Sequence, residues 1–492
     1  MSRIIVIGAG VGGLTAAIRL AAAGHGVEVH ERAAVAGGKL GVYERDGFRF
    51  DTGPSLLTLP QVFTDPPLPG PALDLVGLDP VVRHVYPDGT VLDSSSTHEV
   101  FLERIGAALG TAAAQDWRRF WGRAERIWAA SWRSVLRRPV TPASLAGLAW
   151  RLGDLAAIAP GRTLRGLGRH YFRGPHLRTL LDRYATYTGA DPRRAPAALA
   201  AVPYAELRFG GWYLRGGLGM LGSALVARCA ELGVRIVLDS AVTRIEVVDG
   251  RVRGVRVRRP GGAPAGDLVP ADTVVSDVDA LTLYRDLLPT PGRLARLTDR
   301  SLAGFVLLLG VRGHTPALAH HTVFFPAYYD AEFDAIFGSA SRRARPASNP
   351  TVFVTRAVDP AVHPAGSEAW FVLVNAPAHG TGWSAVDWRR PGLAEAYGRH
   401  VLDVLARRGV DVRDRLEFLE VRTPADLADT AGAPGGAIYG TAGGLVRPVN
   451  QGPVPGLYLV GGSVHPGGGL PMVTLSARIV ADQIGPARPS PR

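Results

Sequence analysis

The 492-residue chain has one cysteine, Cys229, and one lysine, Lys39. A single thiol rules out an intrachain disulfide and is compatible with a reducing compartment. All but one of the 55 basic residues are therefore arginine, and 61 glycines and 38 prolines accompany them, as a GC-rich genome would impose. The formal charge is +12. No recognition motif makes nucleic acid its partner. An anionic membrane surface suits it better, since each basic residue gains roughly 1 kcal/mol near one. No run reaches about 18 uninterrupted apolar residues, so no transmembrane helix is expected. The first strand begins at residue 3 or 4, which leaves no room for a targeting peptide and predicts a cytosolic protein. His320-His321 has no acidic or cysteine ligand at a binding spacing, so no metal is expected. The length calls for more than one domain.

What is present is concentrated in the first fifty residues. Ile4–Ile7 is a short apolar run, Gly8-Ala9-Gly10-Val11-Gly12-Gly13 a turn, and Leu14–Ala23 a helix. In such a fingerprint the first glycine allows the turn and the second lets backbone approach a pyrophosphate. The third lets helix and strand close up, and the helix N-terminus favours the phosphate charge. A second strand, Gly26–His30, ends at Glu31, where a carboxylate accepts ribose hydroxyls. Strand, glycines, helix, strand and acid in that order predict a dinucleotide site. Gly217-Leu218-Gly219-Met220-Leu221-Gly222 repeats the glycine pattern, but the stretch before it, Gly211–Arg215, is a poor buried strand. A second nucleotide site there is the lesser reading.

Further along, Ala36-Gly37-Gly38-Lys39 and Asp51-Thr52-Gly53-Pro54-Ser55 flank an expected hairpin. Short strands are expected at Val81–Tyr86 and Thr90–Leu92. Helices follow from Phe101 to Arg173, with Trp117/Trp121 and Trp128/Trp132 each sharing a helix face. Seven arginines stand among them, Arg118, Arg119, Arg123, Arg126, Arg133, Arg137 and Arg138, and Trp150 follows. Tryptophan with arginine suits a lipid–water interface, and a packed aromatic stripe with a solvated basic face suits the pattern as well. Near the C-terminus, Gly456–Ser463 reads as a strand entering a glycine turn. His465-Pro466-Gly467 then leads to a helix from Val473 to Ile484, whose N-terminus again offers unpaired amides.

These motifs in this order resemble the carotenoid (phytoene-type) desaturases, and the resemblance spans essentially the whole chain. Glu31-Arg32, Gly37-Gly38-Lys39 and Phe50-Asp51-Thr52-Gly53-Pro54 carry it at one end, Gly461-Gly462-Ser463-Val464-His465-Pro466-Gly467 at the other. Arg183-Tyr184-Ala185-Thr186-Tyr187 is similar to the branch acting on hydroxylated acyclic carotenoids.

The resemblance implies FAD rather than NAD, in an α/β Rossmann-type domain interwoven with an α+β substrate domain. The FAD domain would take residues 1–90, 206–285 and 451–485. Residues 91–205 would form a helical substrate and membrane-associating region, 286–450 the second substrate segment, and 486–492 a disordered tail. Cofactor contacts fall on Gly8, Ala9, Gly10, Gly12, Gly13, Glu31, Arg32, Gly38, Lys39, Gly53, Pro54, Ser55, Val242, Gly462, Ser463, Pro471, Met472 and Val473. No catalytic residue is assigned; Asp182, Arg183, Tyr184 and His465 are polar groups without a placed role. The implied reaction is hydride transfer from an acyclic carotenoid to FAD with oxygen or a quinone as acceptor, on a peripherally membrane-attached cytoplasmic enzyme. A 3,4-desaturation of a 1-hydroxycarotenoid fits best. Successive desaturation of phytoene, polyene isomerisation or saturation, and a non-catalytic prenyl-binding escort remain open.

Overall fold

The structure, a computed structural model, describes residues 2–69, 73–263, 266–442 and 447–487. The last five residues of the expected tail lie outside it.

Arg3–Ile7 is apolar and buried along almost its whole length, as a strand covered on both faces must be. It is the centre of a five-stranded parallel sheet, ordered Leu457–Leu459, Thr273–Ser276, Arg3–Ile7, Gly26–His30, Arg235–Val237. Segments from across the sequence thus meet in one sheet. The alanine-rich helix Val11–Ala22 is small enough to pack between this sheet, Leu470–Ile484 and Gly219–Glu231. A three-stranded antiparallel sheet, Ala241–Val248, Arg251–Arg258 and Asp267–Pro270, follows. Its first turn, Asp249-Gly250, has positive φ at both residues, as a tight hairpin requires.

A seven-stranded mixed sheet forms the second layer, ordered Leu416–Arg422, Ala303–Arg312, Ser367–Ala376, Val352–Arg356, His321–Phe324, Arg83–Val85, Val91–Asp93. Residues 83–90 were expected in the first flavin segment and 91–93 in the helical region; Arg83–Val85 and Val91–Asp93 form instead an antiparallel hairpin that extends this sheet, Arg83–Val85 running parallel to Thr322–Phe324. The polar–apolar alternation in these short strands does not say which sheet they join.

The helical region is present, including Thr111–Ser131, Leu164–Tyr171, Pro175–Arg183 and Ala201–Phe209. Its tryptophan stripe is core. Trp117 is fully buried, with its ring centroid 5.1 Å from that of Phe101 and 5.8 Å from that of Phe172. Trp128 is buried too, and Trp121 and Trp132 pack against the same cluster. The packed-stripe reading therefore holds for these four, because the 117–132 face meets helix Ala201–Phe209 rather than solvent. Trp150 alone of the five is exposed.

Candidate functional site

The backbone builds one end of the site. Gly8, at φ +96°, donates its N–H to the His30 carbonyl at 2.8 Å and so ties the turn to the second strand. A methyl group on Gly13 would lie 2.0 Å from the Gly8 carbonyl oxygen, so only glycine lets helix and strand close. The later turns stack on the first. Gly37 donates to the Ala9 carbonyl at 2.8 Å, and a methyl on Gly38 would sit 3.2 Å from the Gly10 Cα. One on Gly53 would sit 1.9 Å from the Lys39 carbonyl oxygen.

Glu31 lies at the end of the second strand. Its carboxylate accepts from Ala9 N–H at 2.7 Å and Ala33 N–H at 2.9 Å, so the acid is fixed against the glycine turn. The Ser240 N–H donates to the Glu31 carbonyl at 2.7 Å, which brings Val242, two residues on and paired with Val257, to the same end.

Two of the anticipated side chains have partners within the protein. The Arg32 guanidinium donates to the Asp429 carbonyl. The Ser463 hydroxyl accepts from Ala280 N–H at 2.9 Å and keeps its own O–H donor. Lys39 is half-buried, and Nζ donates to the Ile438 and Ala437 carbonyls at 2.7 and 3.0 Å. Burial lowers its ammonium to about 8, with Asp279 resisting the fall. Val473 reaches back to the first turn, its Cγ1 3.0 Å from where a Gly12 Cβ would be.

Sequence reasoning missed Asp277, which follows the strand Thr273–Ser276 at the mouth of the parallel sheet. A Cβ on Gly10, Gly12 or Gly461 would come within 2.5, 2.4 and 2.3 Å of its carboxyl oxygens. Burial pushes this acid up to about 7, against a hydrogen bond from Gly13 and with the Glu31 charge adding to the rise. Its position at a strand's carboxyl end in an open α/β sheet was the available signal.

The repeated fingerprint has an internal occupant. Asp51 accepts from Leu218 N–H at 2.7 Å and Gly219 N–H at 2.8 Å, filling the helix N-terminus. A Cβ on Gly219 would strike the Val42 side chain at 2.2 Å, and Trp212–Leu214 pairs with Leu75–Gly77 outside the parallel sheet.

Side chains build the other end. A cavity of about 620 Å³ is walled by Trp128, Leu136, Ile158, Leu199, Val323 and Phe353. It reaches Gly53-Pro54-Ser55 on one side and Gly467–Met472 on the other, so Pro471 and Met472 line cavity and turn together. Arg447 holds that corner, donating to the Tyr439 carbonyl at 2.7 Å and the Gly462 carbonyl at 3.0 Å. His465 Nε2 bonds the Val135 and Arg138 carbonyls at 3.1 and 2.9 Å, tying the turn to the helical wall. Tyr184 and Tyr187 donate to the two oxygens of Glu206 at 2.8 and 2.7 Å. Asp182 is paired with Arg165 at 2.8 Å, outside the cavity lining, and burial raises it to about 6. The buried His320-His321 pair lies beside Tyr213 and Phe353; among the described residues no cluster of metal-ligating side chains occurs.

This is the architecture of an oxidoreductase that seats a dinucleotide on its sheet with a hydrophobic substrate beside it. The chain belongs to the flavin containing amine oxidoreductase family, whose profile matches residues 11–304, and its cofactor is FAD. It is 33% identical to a 4,4'-diapolycopene oxygenase of Methylomonas sp, over 98% of each chain. It is 29% identical to a 1-hydroxycarotenoid 3,4-desaturase of Flavobacterium sp. (strain P99-3), over 98% of this chain and 99% of that protein. The fold is shared with an oxidoreductase from Methanosarcina mazei at a TM-score of 0.63, with 16% identity, over 98% of this chain and 100% of that one. The residues present fit the cofactor: the N-terminus of helix Val11–Ala22 has no side-chain cap and no acid in its first turn, which suits a pyrophosphate, and the anchored Glu31 marks the ribose end.

Proposed function

We propose that the protein is an FAD-dependent carotenoid desaturase that installs a 3,4 double bond in a 1-hydroxylated acyclic carotenoid. The observation that carries this reading is the apolar cavity that runs to the two turns bracketing the flavin end, Gly53–Ser55 and Gly467–Met472. A polyene has no charge to steer it, so shape and burial must align the reacting carbons. When bound, FAD supplies the hydride acceptor for this chemistry.

The chain's own residues do the rest. Gly8, Ala9, Gly10, Gly12 and Gly13 receive the pyrophosphate, and Glu31 the ribose. The backbone at Val242 meets the adenine. Gly38, Lys39, Gly53, Pro54, Ser55 and Gly462, with Pro471, Met472 and Val473, frame the flavin end. Aromatic and aliphatic walls exclude water and hold the allylic carbon against that frame. The second hydrogen of the new double bond leaves as a proton, and oxygen or a quinone takes the electrons.

We also assign a peripheral membrane position. Trp150 and Leu152 are 88% and 72% exposed. Beside them Arg123, Arg126, Arg162 and His170 line a pocket of about 390 Å³ with no carboxylate in its wall. It shares Pro160 with the polyene cavity, so a bilayer held there would deliver substrate to the cavity's outer end.

A second reading, oxygenation of an acyclic carotenoid, is favoured by the 33% identity to the 4,4'-diapolycopene oxygenase. Expression in bacteria accumulating phytoene, or separately a 1-hydroxylated acyclic carotenoid, separates them. Loss of two hydrogens with a red shift from the hydroxylated pigment alone is expected. Colour from phytoene would make the enzyme a phytoene desaturase, and a gain of oxygen would favour the second reading.

A further inference from the structure

The cavity wall is mostly apolar, with Arg183, Glu206, Asn375, Arg447 and His465 among its polar members. Arg183 lines it, is 6% exposed, and among the described residues has no carboxylate or carbonyl accepting from its guanidinium. Its Nη1 is buried without a partner among the described residues. A buried donor left unmade costs about 1–3 kcal/mol, and more when charged, so an arginine in such a position calls for an occupant.

The surroundings hold the guanidinium in place, with the Tyr187 hydroxyl as its hydrogen-bonding neighbour, and leave Nη1 open among the described residues. Its carbon lies 5.1, 5.8 and 5.9 Å from the ring centroids of Tyr187, Tyr184 and Phe353, a set of cation–π contacts. The nearby acid, Glu206, already accepts both tyrosine hydroxyls. Burial works against the Arg183 charge, but Tyr187 and Glu206 more than offset it and keep it charged. Arg183 and Glu206 together are neutral, which favours a neutral oxygen over a carboxylate.

The position along the cavity matters as well. Arg183 and Tyr439 both line the cavity. The Tyr439 ring packs against Gly468, 2.5 Å from where a Cβ there would be, in the turn at the flavin end. In a 1-hydroxycarotenoid only a few bonds separate the oxygen from the 3,4 carbons, so an oxygen anchor must share the cavity with the flavin end, and Arg183 lines the same cavity as Tyr439 and the Gly467–Met472 turn.

We propose that Arg183 is a specificity-determining residue that donates to the hydroxyl oxygen at the end of the polyene. This rests on the desaturase reading and adds the group that selects the substrate.

The test uses FAD-loaded protein and two carotenoids that differ only in the terminal hydroxyl. Dissociation constants and kcat/KM are measured for wild type, Arg183→Met and Arg183→Lys, with flavin content and melting temperature recorded. Wild type is expected to favour the hydroxylated pigment by about tenfold or more, the worth of one charge-assisted hydrogen bond. Arg183→Met should bring that ratio close to one, and Arg183→Lys should retain part of it. If Arg183→Met does not load flavin, the lysine variant decides, and an unreduced ratio overturns the proposal. So does tighter binding of a carboxylate-ended pigment than of the alcohol. Absence of turnover with either carotenoid would sink the desaturase reading, while the binding ratio would still decide the oxygen site.

Discussion

The two ends of the site are built from different materials. At the nucleotide end, three glycine turns stack backbone on backbone, and a substituent on Gly13 or Gly53 would stand 2.0 or 1.9 Å from a carbonyl oxygen. At the substrate end, the wall is made of side chains from helices and strands far apart in sequence, among them Trp128, Arg183, Glu206 and Phe353. A backbone site tolerates no side chain, whereas a side-chain site tolerates exchange among residues of similar volume. One fold can therefore keep a flavin while its substrate changes.

The largest effect that would sharpen this contrast is at the first turn. Gly13→Val should abolish flavin loading and leave little soluble protein, because the clash is with backbone that cannot move aside. Leu199→Met, on the cavity wall, should cost less than about 1.5 kcal/mol and leave flavin content intact. Equal losses in both variants, read from flavin absorbance and thermal melts, would erase the distinction.

Next in size is the polar island of the cavity. Glu206→Leu strands the Tyr184 and Tyr187 hydroxyls and the Arg183 charge, for an expected loss of about 3–5 kcal/mol in a thermal or urea melt. A loss below about 1 kcal/mol would show that Glu206 is not the counter-group described.

The same contrast explains what could be read in advance. Gly8–Gly13, Glu31 and the Gly461–Gly467 turn were legible because a backbone site restricts residue type at each position. Asp277 was not, since an aspartate after a strand reads as a cap or a turn until the five glycines around it are known. The tryptophans of 117–132 carried the right helical period, but period shows that a face is apolar and not what covers it. Here helix Ala201–Phe209 covers it. Residues 83–93 were legible as strands, while their sheet was set by a partner some 240 residues away.

A smaller effect concerns Asp277. Its folded-state acid titrates at about 7 rather than near 3.8, so the folded protein holds the proton more tightly than the unfolded chain. The stabilising contribution is complete below about pH 4 and disappears as the pH rises through about 7. Flavin-free wild type should thus lose on the order of 2 kcal/mol between pH 5 and pH 8 relative to Asp277→Asn. Parallel melting curves for the two proteins across that range would count against the buried acid.

The smallest change in stability is expected at the surface. Arg123→Glu with Arg126→Glu should leave the folding stability within about 0.5 kcal/mol of wild type, since among the described residues neither arginine forms an ion pair and Arg123 makes one exposed bond, to the Ala156 carbonyl. Sedimentation with anionic vesicles should nevertheless fall at least severalfold. Unchanged sedimentation would remove the basic pocket from the membrane account.

The most direct measurement mixes purified, FAD-loaded protein with a 1-hydroxylated acyclic carotenoid in the absence of oxygen. Flavin and polyene absorbance are followed together. The account predicts that the flavin bleaches as the polyene shifts to the red, one new double bond for each flavin reduced. A flavin that stays oxidised while the carotenoid is bound in the cavity would contradict it.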